Sequence, residues 1–158
     1  MTNANRFLAE AIALAFDNVR KGGRPFGAVV VKDGQVIARG VNRMLADSDP
    51  TAHAEMLALR AAGAALKSPR LDGCEIYASG QPCPMCLAAI RMSGIGDVTF
   101  AYSNQDAEPF GLSTAAVAVE LAKPLDQQSG LNMSYCPPET RDEDHLYRVW
   151  QDQADSKG

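Results

Sequence analysis

At 158 residues with 46% hydrophobic side chains, the chain is long enough for one domain with a substantial core and short of what a second full domain needs, so a single domain over 1–158 is expected. A net charge of -4 and a pI near 5.1, with no block of lysine or arginine, weigh against a nucleic-acid partner such as tRNA. Met1-Thr2-Asn3-Ala4-Asn5 lacks a basic region followed by an apolar run, and no uncharged stretch reaches spanning length, so a cytoplasmic protein with no membrane partner is expected.

Apolar side chains at Phe7, Leu8, Ile12, Leu14, Ala15, Phe16 and Val19 recur with a helical period and predict an amphipathic helix over 5–20, stopped by Gly22-Gly23. Two short apolar runs, 27–31 and 36–41, flank Asp33-Gly34, a dipeptide suited to a type I′ turn, and predict an antiparallel hairpin. The Ala- and Leu-rich run 51–66 predicts a helix, with Asp49-Pro50 or Thr51 at its start and His53 and Glu55 in its first turn. A strand over 74–79, a helix over 84–93 and a strand over 97–102 then imply a parallel crossover. A polar loop over 103–111, a helix over 113–121, a fifth strand over 131–136 and a last helix over 143–153 complete the order. The pattern predicts an α/β fold, a three-layer α/β/α sandwich around a mixed five-stranded sheet.

His53-Ala54-Glu55 and Pro82-Cys83-Pro84-Met85-Cys86 carry the chemistry. A catalytic zinc site has three protein ligands and leaves one tetrahedral position open, and His53, Cys83 and Cys86 supply three. Pro82 and Pro84 favour an extended entry into a first helical turn on which the two cysteines share a face. Glu55 is a carboxylate that the metal does not need as a ligand, and it reads as the proton shuttle of a metal-assisted hydrolysis, since zinc brings the pKa of bound water to about 7. A closed structural site completed by Cys74, or a redox pair of Cys83 and Cys86, stands against this reading; neither gives Glu55 a role. Cys74 and Cys136 are expected as buried thiols near strand edges.

The two motifs match the H-x-E and P-C-x-x-C pattern of the zinc deaminases, and the chain resembles the cytidine deaminase superfamily in its nucleobase and tRNA adenosine branch. Pro25-Phe26-Gly27-Ala28-Val29, Val41-Asn42-Arg43 and Asp49-Pro50-Thr51-Ala52 extend the likeness over nearly the whole chain, most of all to bacterial guanine deaminases, with tRNA adenosine deaminases close behind. The resemblance implies a zinc-dependent aminohydrolase in which Zn2+ is held by His53, Cys83 and Cys86. It implies that Glu55 moves protons from water to the ring and then to the departing amine. It further implies that Asn42 and the Ala54 backbone bond the base and that Phe26 stacks on it, with a turn residue the alternative for Asn42 and a core position the alternative for Phe26. The substrate implied is a small heterocyclic amine of guanine type, with tRNA wobble adenosine, or cytosine or isocytosine, as alternatives. A non-catalytic zinc-stabilised binding module is the alternative from another class, and a homodimer is the expected assembly.

The chain departs from these relatives in three places. Gly111-Leu112-Ser113-Thr114 stands where they carry Gly-Phe-Asp-Asp, Gln81 stands where Glu is usual before the cysteine motif, and the terminal aromatic residue is replaced by a polar tail in which Tyr147 and Trp150 are the nearest aromatics. Gln81 is open between a neighbour of the ligands that tunes them and a solvent-facing amide. Asp106 and Glu108, after the fourth strand, are candidates for substrate contact or simply a solvated loop. His145, beside Asp142-Glu143-Asp144, is assigned to the start of the last helix.

Overall fold

The computed structural model describes residues 2–139 and 145–158, which divide into two units, Met1–Gln127 and Gln128–Gly158. In the first unit, helix α1 (Asn3–Arg20) starts two residues earlier than its apolar pattern suggests, because the Thr2 side chain accepts from the Asn5 N–H and caps it. Strands β1 (Gly27–Lys32) and β2 (Gln35–Val41) pair antiparallel. Asp33 and Gly34 both have positive φ, 50° and 73°, as a type I′ turn demands.

A one-turn helix α2 (Met44–Asp47) and helix α3 (Ala54–Leu66) follow, then β3 (Cys74–Gly80), α4 (Pro84–Ser93) and β4 (Asp97–Tyr102). Strand β3 pairs antiparallel with β1 and parallel with β4, so the crossover through α4 is as expected. The sheet is mixed, in the order β2-β1-β3-β4. Short helices α5 (Asn104–Ala107) and α6 (Ala115–Leu121), with 3-10 turns at Glu108–Phe110 and Leu125–Gln127, close the unit.

Helix α1 covers one face of the sheet, where Phe7 packs with Val29, Val31 and Tyr77. Helices α3 and α4 cover the other, where Ala54, Ala58, Ala62 and Ile90 meet Ala28, Val30, Ile76 and Ala78. Strand β1 is thus buried on both faces, which is why Gly-Ala-Val-Val-Val reads as a continuous apolar run rather than an alternation. Close approach explains two glycines. A Cβ on Gly27 would strike the Ala11 carbonyl and the Ala15 nitrogen of α1, and one on Gly40 would strike Ala54 and Ala58 of α3.

Three expectations need correction. The sheet among the described residues has four strands, not five: residues 131–136 are irregular and exposed. Leu131, Met133 and Tyr135 do alternate, but period two describes a strand only where a neighbouring ladder takes up the backbone, and Pro137-Pro138 directly afterwards offer no donors. Cys136, in that segment, is exposed, whereas Cys74 is buried as expected. On α1 the buried stripe is Phe7, Ala11, Ala15 and Asn18, so Phe16 and Val19 turn outward.

In the second unit, helix α7 (Leu146–Ser156) is amphipathic, and His145 is its N-cap residue without a side-chain capping bond. Its imidazole instead meets the Tyr147 ring, 5.6 Å between centroids. Asp142-Glu143-Asp144 and the expected start of this helix at 143 lie outside the described residues.

Candidate active site

Helix α3 begins later than its composition suggests because Asp49 builds a turn in front of it. The Asp49 Oδ1 accepts from the Thr51 N–H at 2.8 Å and from the Thr51 hydroxyl at 2.7 Å, and the Ala52 N–H returns to the Asp49 carbonyl. The two bonds from Thr51 hold the Asp49 carboxyl below its ordinary range. Extended backbone at His53 (φ -74°, ψ 154°) then makes it the N-cap of α3, with a side chain that caps nothing and is free for a metal. Cys83 is the N-cap of α4 in the same conformation, Pro84 follows at the first helical position, and the Cys83 Sγ accepts from the Cys86 N–H.

The two helix starts bring His53, Cys83 and Cys86 together, with all potential ligand atoms within 4.8 Å of one another. The His53 Nδ1 lies 3.4 Å from the Cys83 Sγ and 3.5 Å from the Cys86 Sγ. A tetrahedral zinc with Zn–N near 2.0 Å and Zn–S near 2.3 Å would set its N and S ligands about 3.6 Å apart, so the donor set and spacing fit zinc. Hydrogen bonding from Cys86, aided by His53, brings the Cys83 thiol down to about 4, and the same pairing together with burial pushes Cys86 up. Metal binding would require both thiols to be deprotonated and so would release protons. Cys74 sits at the opposite end of β3, paired with Lys32, and is not part of this cluster among the described residues. A closed site completed by Cys74 is not formed.

Glu55 is buried at the second position of α3, only 5% exposed, and burial raises its carboxyl above the ordinary range. It shares a small, partly open cavity of about 70 Å³ with His53 and Cys83. Phe26, Asn42, Ala54 and Gln81 line the same cavity, whereas Asp106 and Glu108 do not. Asn42 is also the turn residue of the alternative reading: its Oδ1 accepts from the Met44 N–H at 3.1 Å. Phe26, likewise, packs against the core on the α3 side.

Two supporting residues, Asn18 and Asn104, escaped the sequence reading. Asn18 is buried, and its Nδ2 donates to the carbonyls of Arg24 and Asn42 at 2.8 and 2.9 Å, tying the end of α1 to both segments that carry cavity residues. Its signal was available, since it falls on the stripe of Phe7, Ala11 and Ala15 where an apolar residue would otherwise stand. Asn104 donates its N–H to the Gln81 Oε1 at 2.9 Å and accepts from the Thr114 N–H at 3.2 Å. Gln81 is thus exposed but engaged, holding the loop after β4 to the loop before α4. Leu112 and Thr114 also line the cavity. Asp106, by contrast, is spent on a capping box with Ser103, whose N–H and hydroxyl hold its carboxyl below the usual range.

Fold and site fit a zinc-dependent hydrolase, and the relatives agree. Residues 1–102 match the cytidine and deoxycytidylate deaminase zinc-binding region, and the chain belongs to that family. It is similar to guanine deaminase of Bacillus subtilis, 42% identical over 128 residues that cover 80% of this chain and 82% of the relative. The X-ray structure of a Bacillus subtilis guanine deaminase superposes with a TM-score of 0.81 at 36% identity, covering 94% of this chain and 93% of that one. The tRNA-specific adenosine deaminase of Aquifex aeolicus is 43% identical over 94 residues, 60% of this chain and 62% of the relative. The protein is a zinc-dependent hydrolytic deaminase. No helix among the described residues is long and apolar enough to cross a membrane.

Proposed function

We propose that this deaminase acts on a free nucleobase of guanine type, releasing ammonia. The observation that carries the reading is the reach of the sequence likeness to Bacillus subtilis guanine deaminase, 80% of the chain, against 60% for the Aquifex aeolicus tRNA deaminase. The acidic balance, -4 overall, points the same way, because an RNA substrate is held largely through phosphate charge.

The roles follow from placement. His53, Cys83 and Cys86 hold the zinc, which when bound supplies an acidified water for hydrolysis. The Glu55 carboxylate, made more basic by burial, takes a proton from the attacking water, gives it to a ring nitrogen, and carries the next to the departing amine. Phe26 offers a ring face, while Asn42 and the Ala54 backbone bond the polar edge of the base. The domain comprises residues 1–158, the protein works as a cytoplasmic homodimer, and neither a membrane nor a nucleic acid takes part.

The test is ammonia release by zinc-loaded protein from guanine, adenine, cytosine, isocytosine and aminotriazines. Turnover of guanine in preference to the others is expected. A protein that leaves all of them unchanged yet converts adenosine in an anticodon stem-loop would overturn the reading. The stem-loop deserves a place in the test because identity to the Aquifex aeolicus enzyme, 43%, is as high as that to the guanine deaminase.

A further inference from the structure

One more residue lines the reaction cavity, and its charge has no partner. Arg24 stands at the wall of the cavity that holds His53, Glu55 and Cys83, and it also lines a larger groove of about 560 Å³ between the end of α1 and the segment after β2. Asn42 is the other residue common to both. The buried Asn18 amide joins the two, its Nδ2 donating to the Arg24 carbonyl at 2.8 Å and to the Asn42 carbonyl at 2.9 Å. The Phe26 N–H bonds the Arg24 carbonyl as well, at 2.8 Å. Gly23 is needed beside it, since a Cβ there would strike the Asn18 side chain, and Pro25 limits Arg24 to extended backbone. Arg24 is therefore displayed from a fixed backbone. The acids around the groove are already taken: Lys21 holds Asp17 at 2.7 Å, and Arg43 holds Asp47 through two bonds of 2.9 and 3.0 Å. Among the described residues the Arg24 guanidinium has neither a hydrogen bond nor an ion-pair partner. Glu55, which the reaction uses, is the only carboxylate in the cavity lining.

We propose that Arg24 binds an anionic group carried by the substrate, a carboxylate attached to the ring being deaminated, so that the site takes acidic amino-heterocycles in preference to their neutral parents. The proposal rests on the free-base reading above and narrows its substrate class. A guanidinium presents its donors in a planar fork that matches the two oxygens of a carboxylate, and it keeps its charge at every working pH. A neutral ring edge offers it no such match. The adjoining groove gives a ring substituent room that the 70 Å³ cavity does not, and Arg24 stands where the two share a wall. Because Arg24 is exposed, its hold on an anion is screened by salt. It bonds neither the metal cluster nor Glu55, so it acts on binding and not on proton transfer.

Pterin carries the amino-oxopyrimidine ring of guanine and pterin-6-carboxylate adds the anion; cytosine and 5-carboxycytosine make a second matched pair. Ammonia release from both pairs is measured at low and high salt for the zinc-loaded wild type, for Arg24→Gln, which removes the charge, and for Arg24→Lys, which keeps it, alongside zinc content and Tm. The wild type is expected to show a kcat/KM about tenfold higher on the carboxylate member of a pair, the lower end of what a bond to a charged group contributes, and the preference shrinks as salt is added. Arg24→Gln loses it through a raised KM, with the neutral parents, zinc content and Tm as in the wild type, and Arg24→Lys keeps part of it. Equal losses on neutral and carboxylate members, or no loss on either, would overturn the proposal. A preference for guanosine 5′-monophosphate over guanosine that disappears in Arg24→Gln, with no preference for either carboxylate, would also overturn it and assign the arginine to a phosphate. Should the wild type convert none of these bases, the free-base reading falls and calorimetric binding decides Arg24 separately: a tenfold weaker hold on pterin-6-carboxylate by Arg24→Gln supports the proposal, and equal affinity, or no binding by the wild type, overturns it.

Discussion

The cavity has two walls built on different principles. One is formed by the starts of α3 and α4, where Ala54, Glu55 and Cys83 are buried and the backbone is fixed by caps, by the Asp49 turn and by helices pressed onto glycines of the sheet. The other is formed by the segment after β4, whose α5, α6 and 3-10 turns contain no buried residue and which is held to the first by the polar chain Gln81, Asn104, Thr114. Metal ligation and proton transfer tolerate errors of a few tenths of an ångström, so their residues stand on the rigid wall. The lightly built wall bears no proposed ligand or proton carrier, and its Leu112 and Thr114 can change without unfolding the protein.

Breaking the rigid wall should have the largest effect. Cys83→Ser removes a soft thiolate from the proposed ligand set and should strip the metal, so that both zinc content by atomic absorption and ammonia release fall to background. Zinc retained at one per chain would show that the cluster is not the metal site. Gly40→Ala pushes α3 off β2 by driving a Cβ into the backbone of Ala54 and Ala58, and overpacking of this kind costs about 1–3 kcal/mol. A fall in Tm of about 2–10 °C should appear in calorimetry, with reduced zinc affinity because His53 and Glu55 ride on α3. An unchanged Tm would mean that the helix shifts freely. The smallest effect belongs to the light wall. Gln81→Ala frees the Asn104 N–H at an exposed bond and should raise KM a few-fold while leaving kcat and zinc content as in the wild type. Equal losses in kcat and in zinc would instead make Gln81 part of the metal's surroundings.

The two walls also differ in how far they could be read from the sequence. Binary patterning and the Asp33-Gly34 turn gave the hairpin, the crossover and the pairing of the motif halves at two helix starts, since each rests on local periodicity and backbone chemistry. His53, Glu55, Cys83 and Cys86 were legible for the same reason: metal chemistry restricts residue type and spacing severely. The polar chain through Asn104 was not, because a single asparagine in a polar loop carries no periodic signal and its partners, Gln81 and Thr114, are remote in the chain. Residues 131–136 misled in the opposite sense, showing strand alternation without a ladder to join. Helix α3 was placed three residues early because its apolar composition runs into a turn whose maker, Asp49, acts through side-chain bonds that a helical pattern does not record.

Glu55 offers the most direct test of the claim that the rigid wall performs the chemistry. Glu55→Gln keeps the size and hydrogen-bonding reach of the side chain and removes its ability to carry protons. Ammonia release and zinc stoichiometry measured on the same preparation should show turnover reduced about 10²–10⁴-fold with the metal still bound at the wild-type level. Turnover within a few-fold of the wild type at full zinc occupancy would contradict the account and put the proton path elsewhere.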